Sequence, residues 1–188
     1  MKKNLFVLLM TILPILLKAQ NHMQFKGVEM NGTHISFADS LKTKGFVIDS
    51  QGENTIWMSG SFVNEDVIIG ILATPKTHTI CRLMVCFEEK DNWDSLKSQY
   101  NKLKESYEIK YEKDVDYSFF RDPYYEGDGY EMTAVKSNKC RFSSFFKGDG
   151  GGIIVEISNL ARVVVYYEDF VNTQFEKKEK QEIALDDI

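Results

Sequence analysis

The segment Asp114–Tyr130 gathers the side chains best suited to recognition: Tyr117, Phe119, Phe120, Tyr124, Tyr125 and Tyr130 stand among Asp114, Asp116, Asp122, Glu126 and Asp128. Large rings beside carboxylates stack on sugars or anchor a protein partner. The same composition also arises where rings fold back onto a core and tie a loop down. The segment is read as an irregular surface insertion with Tyr117, Phe119, Phe120, Tyr124, Tyr125, Asp122, Glu126 and Asp128 as candidate binding residues. Two carboxylates ~5–9 Å apart would serve glycoside hydrolysis, but no two of Asp114, Asp116, Asp122 and Asp128 fall on a regular element that would hold such spacing. Asp122, Glu126 and Asp128 also lack the glutamate that closes a calcium loop.

A second candidate comes from an internal echo. The run Cys81-Arg82-Leu83-Met84-Val85-Cys86-Phe87-Glu88-Glu89 resembles Ala161-Arg162-Val163-Val164-Val165-Tyr166-Tyr167-Glu168-Asp169. Strand parity directs Cys81, Leu83, Val85 and Phe87, with Val163, Val165 and Tyr167, toward the helices. Arg82, Met84, Cys86 and Glu88, with Arg162, Val164, Tyr166 and Glu168, then form an opposite face. That face is either a solvated surface with cross-strand ion pairs or a binding surface, and Arg82, Glu88, Arg162, Tyr166 and Glu168 are its candidates.

Other chemistry lacks support in the pattern. His22, His34 and His78 have no second ligand at helical or strand spacing, so no metal is expected, nor any cofactor. There is no Gly-x-Ser-x-Gly elbow. Gly148-Asp149-Gly150-Gly151-Gly152 lacks the lysine of a phosphate loop and lies between strands, which makes it a hairpin turn. Cys81 and Cys86, ~17 Å apart on opposite faces of one strand, cannot bridge. They and Cys140 are expected as small buried apolar residues, with a disulfide from Cys140 the alternative.

These residues need elements to position them. Lys2 and Lys3 precede the apolar run Leu5–Leu17, which is too short to span a bilayer and ends in Lys18-Ala19-Gln20, the pattern of a cleaved signal peptide over 1–19. Removing it takes away three lysines and no acid, so the net charge of −5 becomes −8. That excess disfavours nucleic acid and anionic lipid as partners. Residues 20–173 are expected to form one domain, and 174–188 a charged tail.

Within the domain, a strand over Gln24–Met30 leads to a helix capped at Ser36 and ending at Gly45. Strands near 46–49, 55–62, 67–73 and 79–88 follow. Trp93, Leu96, Tyr100, Leu103 and Tyr107 recur at helical steps from Asp91. Residues 111–130 read as irregular, and strands are expected near 130–136, 140–146, 153–158 and 162–169. Phe37–Lys42 also echoes Asn92–Lys97. A helix followed by an antiparallel meander, used twice over about 24–89 and 91–169 with roughly 25 residues inserted after the second helix, accounts for both echoes. The fold class is therefore α+β: duplicated units joined in one curved antiparallel sheet with helices on one face.

The pattern Trp93-x-x-Leu96-x-x-x-Tyr100-x-x-Leu103, the Ala19-Gln20 ending and Tyr167-x-Asp169-x-x-Asn172 through Asp186-Asp187-Ile188 resemble a group of uncharacterised secreted proteins of Gram-negative gut anaerobes of the Bacteroides type. The resemblance implies a periplasmic or secreted location and supplies no activity. Lys110-Tyr111-Glu112 departs from it where the group carries a glycine. In architecture the doubled unit also looks like the β-lactamase-inhibitor proteins, which bind through a concave sheet. The expectation is an exported, non-catalytic binding or interaction module of the periplasm whose partner is another exported protein or a glycan, with no membrane span after processing. The alternatives are a glycan hydrolase using paired carboxylates and a structural envelope protein.

Overall fold

The computed structural model describes residues 21–186; the segment read as a signal peptide lies outside them, as do the last two residues. After a small hairpin of β1 (Gln24–Phe25) and β2 (Val28–Glu29) comes α1 (His34–Lys42), then β3 (Val47–Gln51), β4 (Thr55–Phe62), β5 (Glu65–Ala73) and β6 (Ile80–Cys86). The chain continues with α2 (Trp93–Lys110), β7 (Glu112–Phe120), α3 (Glu131–Lys136), β8 (Cys140–Gly148), β9 (Gly151–Ile157), β10 (Val163–Asp169) and α4 (Phe170–Asp186). Eight strands form one antiparallel sheet in the order β3-β4-β5-β6-β10-β9-β8-β7. The class is α+β, as the periodicities require.

The order reads the same from both edges: α1 and α2 are each followed in the chain by four strands of the sheet, and the last strand of each set meets the other at the centre. Val85 and Val165, matching residues of the echoed runs, are direct Cα partners there. Each outer strand carries a register shift, between Ile48 and Ser50 in β3 and between Lys113 and Val115 in β7. A bulge of this kind leaves one residue unpaired and strengthens the local twist.

One apolar layer fills the space between the sheet and α1 and α2. Phe37 and Leu41 of α1 and Leu96, Tyr100, Leu103 and Tyr107 of α2 pack on Ile56, Met58, Ile69, Ile71, Leu83, Val85, Val155, Val163 and Val165, all buried. The parity expected for the echoed strands holds from Leu83 and Val163 onward, but a register shift at Cys81 puts Ile80, not Cys81, in this layer.

Several expectations need correction. Helix α1 is capped by Thr33, whose side chain accepts from the Ser36 N–H, so its start lies three residues before the residue read as the cap. With Thr33 capping α1 and Asn92 capping α2, the Phe37–Lys42 echo of Asn92–Lys97 starts four residues later relative to its cap, although Ala38 and Leu41 are buried as Trp93 and Leu96 are. The insertion does not follow the second helix. Strand β7 comes there, and the extra chain is Arg121–Lys139, between β7 and β8. Residues 131–136 are helical, because Ala134 and Val135 are buried on one side of a single turn while Thr133 and Lys136 face water. The tail begins as α4 at Phe170. Its buried side is polar: the Asn172 amide donates to the carbonyls of Met30 and Ile80, and Glu179 accepts from the Lys76 and Thr77 N–H groups.

Candidate functional site

The side of the sheet away from α1 and α2 is open over most of its width. Following register from edge to edge, one row reads Val115, Phe145, Ile154, Tyr166, Met84, Gly70, Trp57 and Ser50. Six of these eight are large and apolar or aromatic. Gly70 is also covered, since a Cβ there would lie 2.9 Å from the Trp57 ring, so the indole closes the gap in the row. The next row reads Tyr117, Ser143, Glu156, Val164, Cys86, Ile68, Ser59 and Val47.

On the other flank the row is polar, with Glu112, Lys147, Gly152, Glu168, Arg82, Leu72 and Thr55. Arg82 lies 3.2 Å from Glu168 and 2.8 Å from Glu176 of α4, which packs against this end of β6, β10 and β9. Arg162 lies 3.8 Å from Glu89, while Glu88 is 4.0 Å from Lys90. Of the candidates on the echoed strands, Arg82, Glu88, Arg162 and Glu168 thus have charged neighbours in the chain itself. Tyr166 belongs to the apolar row.

The aromatic end of this face is built by the edge pair β7 and β8. The Arg141 guanidinium sits 4.1 Å from the Tyr117 ring centre and 5.9 Å from that of Phe145, and Arg121 lies 5.9 Å from Phe119. Tyr117 meets Phe119 and Phe145 edge-on. Cations held over ring faces form a ladder of alternating charge and aromatic surface. Tyr117 is 36% exposed, Phe119 39% and Val115 39%, and farther along the face Ile68 is 46% exposed. A sheet residue at that level keeps one whole side of its ring or branch in water.

The predicted aromatic-acidic insertion is therefore divided. Tyr117 and Phe119 stand on the open face. Phe120, one residue on, turns inward against Trp93 and Phe142. Asp122, Tyr124, Tyr125, Glu126 and Asp128 belong to the following loop: Glu126 pairs with Lys97 of α2, and Asp128 accepts from the N–H groups of Tyr125 and Tyr130. Pattern reading missed Trp57, Phe145 and Ile154, although alternation along their strands was enough to place them opposite the core.

Two of the four acids considered for hydrolysis, Asp114 and Asp116, are tied to cations. Asp114 is 3.6 Å from Lys147, and Asp116 bonds Lys104 and the Ser144 hydroxyl. Partial burial would raise the Asp116 carboxyl, but those hydrogen bonds outweigh it and hold the group below its usual range. Glu156, on the open face, is raised instead, because burial penalises its charge more than the Ser143 hydrogen bond and Arg141 favour it. Burial, with Glu156 and Cys86 nearby, pushes Tyr166 up to about 12.

Cys81, Cys86 and Cys140 are all free thiols, and burial pushes Cys81 up to about 11. No histidine, cysteine and carboxylate group among the described residues is arranged to hold a metal. No helix among them is long and apolar enough to cross a membrane. The fold defines an α+β protein whose antiparallel sheet carries α1 and α2 on one side, while α4 covers one end of the other side, against the expectation of helices on a single face. No protein-family model, no curated protein and no solved structure matches the chain.

Proposed function

We propose that the protein is a non-catalytic binding module that works outside the cytoplasm and grips another exported protein with the open face of its sheet. The observation that carries this reading is the apolar row from Val115 to Trp57, flanked on one side by a row of paired charges. An apolar centre beside a polar rim is the anatomy of protein interfaces, and tyrosine, tryptophan and arginine are the usual anchors. Export rests on the Leu5–Leu17 run and the Ala19-Gln20 junction.

We also read the sheet as two copies of one unit. The mirrored strand order, the self-pairing of Val85 with its counterpart Val165 and a register shift in each outer strand support that reading. Two such units joined at their last strands give a face wide enough to span a partner.

The test is affinity for a partner captured from periplasmic extract and then purified. Replacing Tyr117 and Phe119 together with alanine is expected to weaken binding at least tenfold, since each ring buried at an interface contributes ~1–3 kcal/mol. The thermal midpoint should barely move. Unchanged affinity in that variant, with a loss in Tyr124→Ala/Tyr125→Ala, would transfer recognition to the loop after β7.

A further inference from the structure

We propose that a separate cleft, on the helical side of the sheet, binds a small aromatic carboxylate. The cleft encloses about 470 Å³ between the β1–β2 turn and the end of α2, a size suited to a small-molecule ligand. Phe62 and Tyr111 give it flat apolar walls, Tyr107 and Tyr167 line its buried end, and Lys26 and Lys110 stand at its exposed rim.

The buried end has an unused donor. The hydroxyls of Tyr107 and Tyr167 bond each other, and neither has another partner among the described residues. Two hydroxyls bring two hydrogens and one bond uses one of them, so the second is left to donate to an acceptor in the cleft. A buried hydroxyl hydrogen without an acceptor costs free energy that a ligand oxygen recovers.

The rim has unused positive charge. Lys26 donates to the Ser61 carbonyl and lies 5.3 Å from the Phe46 ring centre; Lys110 lies 5.0 Å from that of Tyr111. Neither has a carboxylate partner among the described residues. The other charged groups of the lining are engaged, His22 with Asp169 and Asp149 with the Asn21 amide. A ligand that answers all three features has a flat ring for the walls, a carboxylate for the ammonium groups and an oxygen at its far end for the tyrosine pair.

The probe is 4-hydroxycinnamate, with neutral 4-hydroxycinnamamide as its uncharged counterpart, titrated calorimetrically into the processed chain. The acid is expected to bind at least tenfold more tightly than the amide. Lys26→Met/Lys110→Met should lose that preference without a shift in thermal midpoint, because both lysines are exposed. Tyr117→Ala/Phe119→Ala, on the opposite face, should bind the acid as wild type does, which separates this site from the protein interface. No binding of the acid, equal binding of acid and amide, or an unchanged preference in the lysine variant would each overturn the proposal.

Discussion

The two outer strands occupy mirrored places in the sheet and differ in what they offer. Strand β3 has five residues, and Val47 and Ser50 on its open side. Strand β7 has nine, with Val115, Tyr117 and Phe119 on that side and arginines across their rings. The helix before β7 has eighteen residues against nine for α1, and the last residue of β7, Phe120, packs into a cluster with Trp93 and Phe142. One architecture thus yields a plain edge and a reinforced, aromatic one, and the added mass of the second half stands behind the strand that carries the exposed rings.

The strongest way to break this comparison is Phe142→Ala. Deleting a buried ring of this size costs ~3–5 kcal/mol through lost burial and a residual cavity. Denaturant unfolding should show that loss, and amide exchange should rise in β7 before β3; equal protection of the two edges would mean that the cluster does not serve the edge strand. A smaller contrast is in binding: beside the tenfold loss expected for the Tyr117 and Phe119 pair, Val47→Ala at the other edge should leave affinity unchanged.

Smaller again is Tyr100→Phe. Its hydroxyl meets Ser144 at 2.7 Å, and Ser144 in turn donates to Asp116 of β7, so the helix is tied to the edge through two polar links. Loss of about 1 kcal/mol is expected in denaturant unfolding.

The smallest effect belongs to Glu156→Gln. The folded state holds this carboxyl above its ordinary value of 4.5, so ionising it destabilises the protein as pH rises through that range. The variant should melt slightly higher than wild type at pH 7, and the gap should close below about pH 4.5, where the glutamate is protonated in both states. A gap that persists at low pH would assign the change to packing instead of charge.

Much of this architecture was legible in local pattern. The Trp93–Tyr107 stripe placed α2, and alternation in the echoed runs placed both faces of β6 and β10, because burial on one side imposes a period that single residues cannot hide. Strand β7 was not legible. It carries Glu112, Lys113, Asp114 and Asp116 and is exposed along almost its whole length, so its composition is that of a loop and only pairing with β8 makes it a strand. The open face was legible in part. Parity identified Tyr166 and Arg82, but the row joining Val115 to Trp57 depends on the register of eight strands, a long-range property that no local window contains.

The bulges in β3 and β7 bear on how the molecule behaves in a crowd. An open sheet with two free ends is a template, and laying the β3 end of one molecule beside the β7 end of the next would leave fresh ends on both, so the contact would propagate into a filament without closing. The register shifts beside Asp49 and Asp114 interrupt each end's ladder at the same relative place and leave a carboxylate at each break. A like charge arriving from either direction is then repelled. Growth by end-to-end addition is thereby opposed at both termini of the sheet, while the broad face between them stays uncovered.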